Sequence, residues 1–155
     1  MVNTIVTAAS DRKEPRPRRD VRTIVGEAPP PTATIDRLET ELGWEFIQIY
    51  GLTETSSMLT LNRRRAEWDA LTPFERARRL GHAGPPAIGT RLGLAPNGEV
   101  LARGNTVFSG YWRQPEATAQ ALAGGWFHTG DGGCIDERGY VTISDRKKGR
   151  DHLRW

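Results

Sequence analysis

Two short stretches of this chain hold the residue types that could do chemistry. In Ile47-Gln48-Ile49-Tyr50-Gly51-Leu52-Thr53-Glu54-Thr55-Ser56 an apolar strand runs into a glycine, and hydroxyls and a carboxylate follow at once. That order suits a ligand with phosphates and a metal. Gly51 can take backbone angles closed to other residues and lets a ligand approach the main chain. Thr53 offers a hydroxyl to a phosphate oxygen, and Glu54 offers hard oxygens of the kind magnesium prefers. The competing reading is a strand end with a capped turn, since Thr and Ser favour helix starts. The second stretch is Gly125-Trp126-Phe127-His128-Thr129-Gly130-Asp131. Asp131 reads as a carboxylate on an exposed turn after a strand, able to accept hydrogen bonds from both hydroxyls of a ribose. An ordinary Gly-Asp turn is the alternative. His128 reads as a packed strand residue rather than an acid or base. Further on, in Ser144-Asp145-Arg146-Lys147-Lys148, Arg146 is a fixed cation that could reach a ribose or phosphate, or a charged strand end in water.

The elements around these stretches must position them. Val21 to Val25 reads as a strand, and Thr32 to Leu42 as a helix, with Ile35, Leu38 and Leu42 spaced for one buried face. Gly43 stops that helix, and Glu45 to Tyr50 is a second strand. Strand, helix, strand joins into a parallel crossover unit, whose loops at Gly26 and Gly51 leave the carboxyl ends of neighbouring strands. Ligands of open α/β sheets bind at that edge. Met1 to Ala9 reads as the end of a helix or strand. The Asp11 to Asp20 stretch, with Pro15 and Pro17, reads as a solvent loop. Met58 to Arg79 is polar and helical in part, with Thr72, Pro73 and Glu75 marking a capped helix start. Two arginine clusters, Arg63 to Arg65 and Arg76, Arg78 and Arg79, read as a solvated helix face. Beyond Gly81 short segments suggest a small twisted sheet or partial barrel. Its strands are expected at Glu99 to Arg103 after the Asn97-Gly98 turn, at Val107-Phe108, at Trp126 to His128, at Gly133 to Ile135 and at Tyr140 to Ser144. A helix is expected from Pro115 to Leu122, and Asp136 to Gly139 reads as a turn.

Bulk properties narrow the class. A length of 155 residues fits one domain or a piece of a larger one. With 37% hydrophobic residues and a mean hydropathy of −0.57, the chain is lean for a self-contained core. The 22 basic and 19 acidic residues leave a net charge of +3, too slight to argue for nucleic acid. One cysteine, Cys134, excludes an internal disulfide framework. No run of about 18 apolar residues exists to span a membrane, and the amino end is too short for a secretory signal. The expectation is a cytoplasmic protein; its oligomeric state is not readable.

The order of the motifs is more specific than any one of them. The chain resembles the adenylate-forming (AMP-binding) superfamily of acyl-CoA synthetases, peptide-synthetase adenylation domains and luciferases. Tyr50-Gly51-Leu52-Thr53-Glu54 matches its Tyr-Gly-x-Thr-Glu motif, and Gly26-Glu27-Ala28-Pro29 its adenine-contacting loop. Gly98-Glu99-Val100, Arg103-Gly104 and Gly110-Tyr111-Trp112 match the block before the ribose site. Trp126 to Asp131 matches the Thr-Gly-Asp block and Asp145 to Lys148 the hinge block. The run from Gly110 to Thr118 is most similar to fatty-acyl or related carboxylate–CoA ligases.

This resemblance implies ATP, magnesium and CoA, a small-molecule carboxylic acid, a fatty acid, as substrate, and no nucleic-acid partner. It implies that Thr53 and Glu54 are catalytic, Thr53 on an α-phosphate oxygen and Glu54 on the magnesium. Gly26, Glu27, Ala28, Tyr50 and Gly51 would lie about the nucleotide, with Asp131 on the ribose, Arg146 behind it and Lys148 as hinge. The implied fold is α/β: a parallel βαβ unit from the end of a larger doubly wound sheet, then a small β-rich subdomain. The corresponding divisions are 1–80, 81–145 and a hinge start with a non-matching tail at 146–155. The family's Ser/Thr/Gly-rich phosphate loop has no counterpart, Gly89 to Gly98 is shorter than usual, and Gly149 to Trp155 matches nothing. The chain is therefore expected to be an internal slice of the large domain, with negligible ligase activity alone.

Overall fold

A computed structural model describes residues 2–10, 21–26 and 28–146, with the backbone alone at Ser10, Asp145 and Arg146. Glu27, Lys148 and the Asp11 to Asp20 stretch, expected as a solvent loop, lie outside the described residues. The chain forms two compact units, one built from 1–49 and 62–82, the other from 50–61 and 83–155.

The first unit is mainly helical. Helix α1 (Val2–Ser10) and strand β1 (Arg22–Val25) lead to helix α2 (Thr32–Leu42) and strand β2 (Glu45–Tyr50). β1 and β2 pair in parallel, from Arg22 opposite Glu45 to Val25 opposite Gln48, as strand, helix, strand requires. The two-residue connection between Leu42 and Glu45 starts with Gly43, whose left-handed backbone (φ 66°) returns its N–H to the Glu39 carbonyl. This is the helix end that glycine allows at least cost. Strand β3 (Thr60–Arg63) extends the sheet in the order β1-β2-β3. Helix α3 (Pro73–Leu80) starts on Thr72, whose hydroxyl accepts the Glu75 N–H while the Glu75 carboxylate accepts the Thr72 N–H at 3.0 Å. It packs on α2, and α2 on α1, burying Val6, Ile35, Leu38, Phe46 and Leu80.

Most of the two arginine clusters is exposed, as a solvated face would be, with Arg63, Arg64, Arg65 and Arg78 open to water; Arg76 is the exception. Arg76 is buried against Glu39 at 3.1 Å, Arg63 pairs with Glu45, Arg64 with Asp69, and Arg79 lies over the Trp68 ring. Burial forces the Arg76 pairing, because a guanidinium leaving water needs a carboxylate.

The second unit is the β-rich one. Strands β4 (Thr90–Leu94), β5 (Glu99–Gly104), β6 (Phe127–Ile135) and β7 (Val141–Arg146) form an antiparallel sheet in sequence order, curled into a half-barrel. Helix α4 (Pro115–Ala121) packs on β6. Leu59, Ala102, Ala121 and Phe127 form one buried cluster, and Ala83, Val100 and Val141 another. The β4–β5 turn is the expected one, with the Asn97 side chain accepting the Glu99 N–H at 2.9 Å. Two expectations fail here. Val107-Phe108 forms no strand, because Phe108 gives its N–H to the Glu54 carbonyl instead. The segments expected at 126–128 and 133–135 fall in one continuous strand, Phe127–Ile135, with Trp126 just before it, and its glycines are absorbed by bulges at which Glu99 faces Gly132 while Leu101 faces His128.

Candidate functional site

β2 delivers Tyr50 at its last position, and the next seven residues fold into a tight turn. Thr55, fully buried, ties it together: its hydroxyl accepts the Leu52 N–H at 2.9 Å and donates to the Leu52 carbonyl at 3.0 Å. The Ser57 N–H also returns to the Leu52 carbonyl, at 2.9 Å. Gly51 serves this turn differently from the sequence expectation. The residues with left-handed backbone are Ser56 (φ 52°) and Ser57 (φ 66°), not Gly51. A β-carbon on Gly51 would lie 2.4 Å from the Ser57 carbonyl group, so glycine is required here for main-chain contact within the turn. Thr53 is exposed at the start of the short 3-10 turn Thr53–Thr55, and Glu54 is half-buried beside it.

Glu54 is held at both ends. Its carbonyl accepts the Phe108 N–H at 2.8 Å, and its carboxylate Oε1 accepts the Tyr111 hydroxyl at 2.8 Å. The Tyr111 ring is itself fixed, edge-on to Phe108 with centroids 4.7 Å apart. Asp131 is also held by a tyrosine: the Tyr50 hydroxyl donates to its Oδ2 at 2.8 Å. The residues join the last position of β2 to the middle of β6.

Asp131 does not stand on an exposed turn. It is 9% exposed and lies within β6, opposite Arg146 of β7. The bulge sets it there. Gly130 takes a positive φ of 77° and gives its N–H to Glu99 Oε1 at 2.8 Å. The Thr129 hydroxyl donates to the Val100 carbonyl at 2.7 Å and accepts the Asp131 N–H at 3.1 Å. His128 contacts Glu99 Oε2 through Nδ1 at 3.1 Å, a strand residue in a local polar pair.

The structure thus brings together Tyr50 with Asp131, and Glu54 with Tyr111, all within the second unit. Gly26 and Ala28 are exposed residues of the first unit, just past the end of β1. Arg146 ends β7, while Glu27 and Lys148 fall outside the described residues. Sequence reasoning missed the roles of Tyr111 and Glu99. Both stand in blocks with recognisable spacing, but their partners are 57 and 31 residues away.

A magnesium ion bound with a nucleotide takes one or two protein carboxylates and draws its other ligands from phosphates and water. Among the described residues there is no group of three or more His, Cys, Asp or Glu that could cage a metal alone. A single half-buried Glu54, oriented by a phenol, fits an ion shared with phosphates.

Comparison with known proteins gives first the class of fold. The chain superposes on the inhibitor-bound N-terminal domain of FACL13 from Mycobacterium tuberculosis with a TM-score of 0.73 and 30% identity, covering 93% of this chain and 37% of that one. Its sequence is 37% identical to probable acyl-activating enzyme 9 of Arabidopsis thaliana over 163 aligned positions, covering 96% of this chain and 29% of that protein. Over 99 positions it is 44% identical to long-chain-fatty-acid–CoA ligase FadD15 of Mycobacterium bovis, covering 64% of this chain and 15% of that protein. The profile of the AMP-binding enzyme family matches residues 1–112, and the chain belongs to that family. It spans less than a third of the length of either curated relative. No helix of the described residues is long and apolar enough to cross a membrane.

Proposed function

We propose that this chain is part of the nucleotide site of a cytoplasmic, AMP-forming carboxylate–CoA ligase whose acid substrate is a fatty acid. The observation that carries the reading is the Tyr50–Asp131 hydrogen bond, which ties the two stretches with ligand-binding chemistry to each other across 81 residues of sequence. The fatty-acid assignment rests on the similarity to the long-chain-fatty-acid–CoA ligase.

In this reading a carboxylate oxygen of the acid attacks the α-phosphorus of ATP, and pyrophosphate leaves. The sulfur of CoA then attacks the acyl carbon, AMP departs, and the thiol proton passes to solvent. The residues act by positioning and charge placement, since phosphoryl transfer asks little covalent chemistry of the protein. Asp131 accepts hydrogen bonds from the ribose hydroxyls, with Arg146 behind it. Thr53 donates its hydroxyl to an α-phosphate oxygen. Tyr50 flanks the adenine, and Lys148 is the hinge. Glu54 would hold magnesium, which supplies charge neutralisation on the phosphates when bound.

A specific fact favours a second reading for the isolated chain: it spans 29% of the acyl-activating relative's length. We therefore propose that the 155-residue chain alone binds nucleotide without completing adenylation. The test measures magnesium-dependent ATP binding by calorimetry and carboxylate-dependent ATP–pyrophosphate exchange on the same sample. Binding that Glu54→Gln weakens, with no exchange, is the expected result. Binding indifferent to Glu54→Gln would overturn the site assignment, and exchange at enzymatic rates would overturn the inactivity.

A further inference from the structure

Tyr111 stands outside the residues so far assigned a part in nucleotide binding. Its hydroxyl is the donor to Glu54 Oε1, at 2.8 Å. The ring that carries it has little freedom, being edge-on to Phe108, which in turn is edge-on to the buried Phe127. Its backbone is fixed as well, for the Tyr111 N–H donates to the Thr118 hydroxyl at 2.9 Å. Thr118 belongs to the second turn of α4 and packs so closely that a β-carbon on Gly110 would lie 2.5 Å from its methyl group. A chain of contacts therefore runs from a helix to the hydroxyl that meets Glu54.

We propose that Tyr111 is a positioning residue for Glu54: by engaging one carboxylate oxygen it turns the other toward the phosphate-bound magnesium ion. This inference rests on the nucleotide reading above. A carboxylate on a half-exposed turn otherwise samples several rotamers, and each is a different place for the ion. A neutral phenol suits the task. It restrains the carboxylate through a hydrogen bond and leaves its negative charge for the cation, whereas an arginine would cancel that charge. Partners of this kind around metal ligands change affinity by about 10–100-fold when removed.

The test titrates magnesium into the full chain at fixed ATP, and separately titrates AMP without magnesium, for wild type, Tyr111→Phe, Glu54→Gln and the double variant. Tyr111→Phe keeps the ring and its contact with Phe108, and a thermal melt close to wild type checks that the fold is retained. The expected result is a magnesium half-saturation raised about tenfold, an unchanged AMP affinity, and no added effect of Tyr111→Phe once Glu54 is Gln. A wild-type half-saturation in Tyr111→Phe, beside a large effect of Glu54→Gln, would overturn the positioning role and leave the nucleotide site standing. Equal losses of AMP and magnesium-dependent binding would make Tyr111 merely structural and overturn the inference. No magnesium-dependent ATP binding by wild type would overturn both.

Discussion

Glu45 and Glu54 stand at the start of β2 and just past its end, and they are held in opposite ways. Glu45 lies between Arg22 at 3.0 Å and Arg63 at 2.7 Å. Glu54 accepts a tyrosine hydroxyl, and so does Asp131. The contrast extends to the units. In the first, Arg76–Glu39 inside the fold and Arg64–Asp69 on the surface are further cases of charges answering charges. In the second, phenols hold the two carboxylates that the nucleotide reading uses. A carboxylate neutralised by arginine has little left to offer a ligand, whereas Glu54, oriented by a phenol, keeps its charge. Residue type alone therefore does not distinguish Glu45 from Glu54; the donor beside each does.

The comparison can be broken in the first unit. Glu39→Ala leaves the buried Arg76 guanidinium without that partner, and an unmatched buried charge costs about 3 kcal/mol. Denaturant unfolding is expected to show that loss, while nucleotide affinity of the folded protein stays within about twofold of wild type, the unit's charges being structural. A clear fall in affinity with unchanged stability would reverse the assignment.

A smaller effect sharpens it. Thr72→Ala removes the cap of α3 and is expected to cost about 1 kcal/mol at neutral pH. The Thr72 hydroxyl, and then its backbone N–H, hold the Glu75 carboxyl below its ordinary value of 4.5. A carboxyl whose pKa is lowered by folding stabilises the fold above the ordinary range, and that contribution fades as pH falls through the lowered value. The gap between wild type and Thr72→Ala is thus expected to narrow in acid. Unfolding curves at neutral and acid pH measure it, and a constant gap would contradict the capping account.

Local signals explain how much of this was legible in the sequence. The helix at Thr32 to Leu42 has its observed bounds because apolar spacing and a terminal glycine mark both its face and its end. The Thr72 box and the Asn97-Gly98 turn are equally local. β3 was hidden because Thr60-Leu61-Asn62-Arg63 is mostly polar. The side-chain N–H groups of its buried Asn62 donate to the Arg79 and His82 carbonyls at the end of α3, a partnership no neighbouring residue announces. β6 was divided because three glycines around Asp131 suggest turns, whereas cross-strand bonds from Thr129 and Gly130 carry the strand through them. Gly51 was recognised as necessary for the wrong reason: the obstacle is the Ser57 carbonyl, visible only once the turn closes. The motif resemblance singled out Tyr50, Glu54 and Asp131, but not the tyrosine hydroxyls on the two acids.

The most direct test of the central claim concerns Asp131 and the ribose. AMP and its 2′,3′-dideoxy analogue are titrated calorimetrically into wild type and Asp131→Ala. If Asp131 receives the ribose hydroxyls, wild type prefers AMP by at least about tenfold, the usual worth of hydrogen bonds to a charged group, and Asp131→Ala binds both alike. Equal affinities of the two nucleotides for wild type would contradict the account.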